Sequence, residues 1–143
     1  MAAGRIIPTI RYRDCPAAID WLKRAFSFEE HFIVLGEGGV ILHAQLTSGE
    51  SMIMLGSAHD DDDFGRLHAV PSEVAGKNTA SFYMVVEDAD KHCATARGQG
   101  AVIISDVRDE EYGGRGYTCK DLEGHIWSFG TYNPWSTPGG AHV

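Results

Sequence analysis

Cysteine is scarce in this chain: Cys15, Cys93 and Cys119 are its only thiols, and none has the CxxC spacing. That argues against a disulfide framework or a zinc knuckle and suits a reducing compartment. Long hydrophobic runs are missing too. No apolar stretch approaches the roughly 20 residues that span a bilayer, and Met1–Arg5 carries no signal core. The expectation is a cytoplasmic protein with no membrane attachment. Positive charge is in deficit, with 12 Lys and Arg against 20 Asp and Glu, a formal −8. Nonspecific nucleic-acid binding needs a cationic surface that releases counterions, so nucleic acid is not an expected partner. The acidic balance is compatible with a cationic ligand, although an acidic surface is more often just a solubility device. Finally, the seven histidines show no HxH or HExxH spacing, which leaves the usual local metal motifs unrepresented.

The 143 residues, 43% apolar and 22% charged, make one domain's worth of chain with enough apolar content for a core. Residues 5–13 read as a strand through Ile6, Ile7, Ile10 and Tyr12. Asp14 then stands as a helix cap, Pro16 suits the first turn, and Ala17, Ala18, Trp21, Leu22, Ala25 and Phe26 recur at helical spacing. Gly36, Gly38 and Gly39 separate two strands, Phe32–Leu35 and Val40–Leu46, and Ser48-Gly49-Glu50 turns into Met52–Leu55. The order is β-α-β-β-β. It then recurs: strand Ala80–Val86, cap Asp88, helix Ala89–Arg97 closing at Gly98 or Gly100, and strands Ala101–Ile104, Tyr117–Lys120 and Ile126–Phe129. One offset of 74 carries Asp14 onto Asp88, Met54 onto Ser128 and Gly56 onto Gly130, which marks an internal repeat. Residues 58–79, with Asp60–Asp63, Pro71 and Gly76, read as a mobile surface connection.

Ile10-Arg11-Tyr12-Arg13-Asp14 before the Trp21/Phe26 helix, Val85-Val86-Glu87-Asp88-Ala89-Asp90, and Asp121-Leu122-Glu123-Gly124-His125-Ile126-Trp127 together resemble the glyoxalase/bleomycin resistance protein/dioxygenase (vicinal oxygen chelate, VOC) superfamily. The last segment is similar to its closing D-P-x-G-H-x-W hairpin, with Leu122 where proline is usual. The resemblance implies an α+β fold of two tandem βαβββ modules, curved mixed sheets enclosing a cavity with helices on their outer faces. The expected layout is a single domain over 1–143: module one at about 5–57, a linker at 58–79, module two at about 80–133 and a tail at 134–143. The end of that tail, Gly139–Val143, reads as frayed. A homodimer is expected, since dimerisation is common in the family.

Metal-dependent members of the family hold four ligands, usually His, Glu or Gln, near the start of each first strand and the end of each last one. The matching positions here are Ile7, Ser81, Met54 and Ser128. An aliphatic side chain, a thioether and two hydroxyls do not compensate a divalent ion, so no metal and no cofactor are expected. Strand alternation places Ile7, Thr9, Arg11, Ser81, Tyr83, Val85, Met52, Met54, Ile126 and Ser128 on the cavity side. In the third strand it sends Leu42, Ala44 and Leu46 to the core and leaves Ile41, His43 and Gln45 inside.

Candidate ligand-binding residues are therefore Arg11, His43, Gln45, Met54 and Tyr83, joined by Tyr112 and Arg115 on a glycine-rich lip. Each has a structural alternative. Arg11 pairs an acid across the sheet or meets a ligand, and His43 is a hydrogen-bonded structural residue or a base. Arg115 clamps a carboxylate or phosphate, or ties the lip to Asp109, Glu110 or Glu111. The Tyr132–Trp135 tail covers a sheet edge or a dimer seam. The expected function is metal-independent binding of a small molecule, drug or metabolite, as in the bleomycin-resistance branch. The alternative is a lyase, isomerase or dioxygenase that uses a relocated metal site, or acid–base catalysis by His43 or Tyr83.

Overall fold

Both predicted caps close a helix. The Asp14 carboxylate accepts the Ala17 N–H and the Asp88 carboxylate accepts the Lys91 N–H, each satisfying one of the four donors a helix start leaves free. The computed structural model describes residues 3–136; the frayed end expected at Gly139–Val143, and His142, lie outside them. The elements are β1 (Thr9–Tyr12), α1 (Cys15–Phe26), β2 (Glu29–Leu35), β3 (Ile41–Ser48), β4 (Ser51–Ser57), α2 (Asp63–Arg66), β5 (Phe82–Val85), α3 (Ala89–Gly98), β6 (Val102–Asp109), β7 (Arg115–Lys120) and β8 (Ile126–Gly130).

The strands form two four-stranded sheets of identical order, β1-β4-β3-β2 and β5-β8-β7-β6. In each, the first strand runs parallel to the last and the other pairs are antiparallel. The internal repeat extends to register. Thr9 faces Met54 and Tyr83 faces Ser128, and 83 − 9 and 128 − 54 both give 74. The α+β fold of two βαβββ modules is therefore present.

The core lies on one face of each sheet. Ile10, Tyr12, Ala44, Leu46, Ile53 and Leu55 of the first and Tyr117, Cys119, Trp127 and Phe129 of the second are buried against α1 and α3. The two helices touch, so the modules share this core. Phe26 from α1 stands 5.2 Å from Trp127 and 4.6 Å from Phe129, and Phe28 stands 5.9 Å from Trp127. Full burial of such side chains contributes roughly 1.5–3 kcal/mol each.

Three expectations need correction. The first strand is shorter than residues 5–13 and the second module's first strand shorter than Ala80–Val86, while β6 runs on to Asp109. In β3 the alternation breaks: Ile41 is 4% exposed and Leu42 60% exposed, the reverse of the expected assignment. Pairing jumps from Val34–His43 to Leu35–Ile41, so Leu42 is an extra residue in a bulge and parity inverts beyond it. The connection at 58–79 is folded rather than loose. It carries α2 and a 3-10 turn at Pro71–Val74, its Val70 and Pro71 are buried, and its Asn78 amide bridges the Gly124 carbonyl and the Ile126 N–H. An apolar Val70-Pro71 pair anchors this stretch despite its acidic opening.

Candidate functional site

The end of β1 is fixed by a buried carboxylate from the other module. Asp121 accepts the Tyr12 hydroxyl at 2.6 Å, the Trp127 indole N–H at 3.1 Å and the backbone N–H groups of Glu123 and His125. Burial, and then Asp121, push the Tyr12 phenol well above its ordinary pKa, so it stays a donor. Glu123 accepts the N–H groups of Arg13 and Asp14, and the His125 ring Nε2 donates to the Arg11 carbonyl at 2.9 Å. The closing hairpin thus grips Arg11-Tyr12-Arg13-Asp14 by its backbone and sets the direction of Arg11.

Arg11 is half-buried, and its guanidinium carbon lies 5.4 Å from the centre of the Phe64 ring in α2. Among the described residues it has no ion-pair partner, so one of the two alternatives for it, pairing with an acid across the sheet, is not formed. Its cross-strand neighbour is Gly56, where a Cβ would come within 2.5 Å of Arg11 Nη1. The glycine is what leaves room for the guanidinium. Arg11 borders a cleft of about 730 Å³ between β1 and the connecting segment, with Arg13, Arg66 and Glu73 on its walls. It also borders an adjoining cleft of about 290 Å³ toward Lys77 and His125.

The other expected site residues are dispersed. His43 and Gln45 are half-buried neighbours on β3, the Gln45 amide 3.1 Å from His43 Nε2. Met54 is half-buried on β4 opposite Thr9. Tyr83 lies along a separate cleft of about 580 Å³ with Ile7, Met52 and Trp135, and its hydroxyl donates to the Tyr132 carbonyl at 2.6 Å. Burial and then the neighbouring Tyr112 and Tyr132 raise its pKa. Tyr112 is exposed and packs edge-on against Tyr132, ring centres 4.9 Å apart. Trp135 of the tail is exposed beside Tyr83. The structure thus brings Arg11 to one cleft and Tyr83 to another, while His43, Gln45 and Met54 lie on β3 and β4 of the first sheet and line neither.

Arg115 resolves in favour of the tie. Its guanidinium makes a two-point bond to Asp90 at 2.9 and 3.0 Å and a third to Asp109 at 3.1 Å. Those carboxylates raise its pKa, and Arg115 in turn holds the Asp90 carboxyl below its ordinary value. Asp109 is one of the partners the sequence offered, and Asp90 on α3 is a second that it did not.

The four positions that hold metal in the family do not fit a divalent ion here. Ile7 and Ser81 are exposed, Met54 offers only a thioether, and Ser128 Oγ is 2.8 Å from Thr118 Oγ in a hydroxyl pair. Elsewhere His59, Asp61 and Asp62 lie together on the surface, but each is already engaged: His59 with Asp61 at 2.5 Å, and Asp62 as the cap of Gly65 N–H in α2.

Sequence reasoning missed the connecting segment as part of a site. Arg66, His68 and Lys77 at three scattered positions were the available signal, masked by the Asp60–Asp63 run beside them.

Comparison with known proteins agrees with this architecture. An uncharacterized protein of Mycobacterium bovis is 28% identical over 127 residues, 86% of this chain and 80% of that protein. The crystal structure of TioX from Micromonospora sp. ML1 is 28% identical, superposes with a TM-score of 0.71 and covers 92% of this chain and 100% of its own. A mutant fosfomycin resistance protein FosX from Listeria monocytogenes, solved with Mn(II) and a dihydroxypropylphosphonic acid, shares the fold at TM-score 0.66 and 12% identity, covering 94% of both chains. No helix among the described residues is long and apolar enough to cross a membrane. The model of the Glyoxalase/Bleomycin resistance protein/Dioxygenase superfamily matches residues 5–129, and the chain belongs to that superfamily.

Proposed function

We propose that this protein binds a small molecule, a drug or metabolite, without the four-ligand metal centre of the superfamily's enzymes. The observation that carries this reading is the quartet Ile7, Met54, Ser81 and Ser128, whose donor chemistry does not fit a divalent ion. Clefts of about 730 and 580 Å³ along the first strands support a ligand of small-molecule size. The reading includes a cytoplasmic location, in keeping with three unpaired, buried thiols, and a homodimer.

An enzymatic reading finds less support. The ring partner of His43 among the described residues is Gln45 rather than a carboxylate, and the Tyr83 hydroxyl is engaged with a backbone carbonyl. The test is elemental mass spectrometry on tag-free protein, before and after incubation with zinc, nickel, manganese and ferrous iron, beside native mass spectrometry for copurified ligand. Substoichiometric metal throughout is the expected result. A stoichiometric ion would overturn metal independence, and His43→Ala would then locate the ligand set.

A further inference from the structure

The chain is acidic overall, yet the surroundings of Arg11 reverse that balance. The two adjoining clefts share Arg11, His68 and Ala69. Four cations line them, Arg11, Arg13, Arg66 and Lys77, against two carboxylates, Asp60 and Glu73. Those four are a third of the 12 Lys and Arg residues in the chain, whereas carboxylates outnumber cations 20 to 12 overall.

Local pairing takes charge of both signs out of play: Asp61 pairs with His59, Asp62 caps α2, and Asp63 pairs with Arg66, which leaves Arg11, Arg13 and Lys77 facing Asp60 and Glu73. One Glu73 oxygen accepts the Val70 N–H. Among the described residues the Arg13 side chain reaches only the Ser72 hydroxyl, at 3.3 Å, and the Arg11 guanidinium has only the Phe64 ring. A half-buried guanidinium that has given up part of its hydration and has no counter-charge among the described residues is a ready donor to an oxyanion. Apolar surface flanks it, with Phe64 57% exposed and Leu67 82% exposed.

We propose that the cleft between β1 and the connecting segment binds an organic anion. Its carboxylate or phosphoryl group sits on Arg11, with Arg13 as the second cation, and its apolar body lies on Phe64 and Leu67. This deepens the small-molecule reading and rests on it. It differs from the cationic ligand with which the net charge alone is compatible. Gly56 is the specificity device: it vacates the space the guanidinium occupies, so the charge and its position can be varied separately.

The experiment is calorimetric titration of the full chain with phenylphosphonate, benzoate, benzamide and benzylamine at neutral pH and low salt. The two anions are expected to bind and the amide and the amine to bind more weakly. The stronger of the two anions identifies a phosphoryl or a carboxylate ligand. Arg11→Gln is expected to weaken the anions by at least about tenfold, as loss of a charge-assisted pair does. Gly56→Ala keeps the charge, clashes only with the far end of a flexible side chain, and is expected to weaken them as well. Melting temperature checks that both variants fold. Undiminished anion binding in both folded variants overturns the proposal. Preference for benzylamine overturns it while leaving small-molecule binding intact. Absence of binding by all four probes overturns it too, and the copurified-ligand measurement then judges the broader reading separately.

Discussion

At the scale of single residues, the most informative group is one that no functional reading uses. His92 of α3 lies 4.2 Å from the Phe129 ring centre, stacks over Phe26 at 6.0 Å and is hydrogen-bonded to the Tyr117 hydroxyl at 2.6 Å. Loss of water around the imidazole lowers its pKa to about 4 from an ordinary 6.5. The unfolded chain therefore takes up this proton below pH 6.5 while the folded protein refuses it down to about pH 4. Stability contributed by neutral His92 is complete above pH 6.5 and is lost as pH falls through that window. The loss should be on the order of 2 kcal/mol, after discounting for partial solvent contact. Asp90 and Asp106, whose pKa values are lowered by Arg115 and by the Val107 N–H respectively, titrate below the window and do not mimic the effect. Urea unfolding between pH 7 and pH 4.5 should show the decline in wild type and a shallower one in His92→Gln; equal slopes in the two would rule this origin out.

At the scale of elements, what was legible followed from local chemistry. The caps, the glycine turns and the alternation of β1, β4, β5 and β8 depend on residues adjacent in sequence, and each matches the fold. Leu42 did not, because a bulge is a property of two strands and only the pairing with β2 reveals the extra residue. Arg11 and Arg115 were recognised as candidates, and Asp109 as an Arg115 partner, but Phe64 of α2 and Asp90 of α3 come from elements remote in sequence. Composition could not say that one guanidinium would be satisfied twice and the other left without an acid. A local feature the sequence concealed is Ser27, which ends α1 with φ of 63° and ψ of 29°, its N–H bonded to the Leu22 carbonyl. A non-glycine residue in this left-handed conformation carries steric strain, while glycine does not. Ser27→Gly is accordingly expected to stabilise the protein by about 0.5–1 kcal/mol, the relieved strain exceeding the added chain entropy. Chemical denaturation would detect it, and a destabilised variant would show that the serine hydroxyl matters more than the backbone.

At the scale of the whole molecule, the question is whether a duplicated chain behaves as two units or one. The repeat is exact in strand order and in the register of the parallel strand pair, which would suit two independent modules. The packing argues otherwise. Phe26 ends α1 and Phe28 follows it, yet both lie on Trp127, and the Trp21 indole donates to the Gln99 carbonyl at 2.7 Å. The Asp121 carboxylate, in turn, is completed by Tyr12. Each module thus leaves its helix-side aromatics or a buried charge uncovered without the other, and a buried polar group without partners is costly. Phe26→Ala, made in module one, should cost about 3–5 kcal/mol, the range for deleting a buried aromatic ring. That cost should appear as one cooperative transition moved to lower denaturant rather than as a new early step. Hydrogen exchange gives the sharper reading. Amides of β8 should lose as much protection as those of β1 and β4, because global opening is shared. Loss confined to the first sheet would mean that the modules unfold separately, and the Arg11 cleft would then open with module one alone.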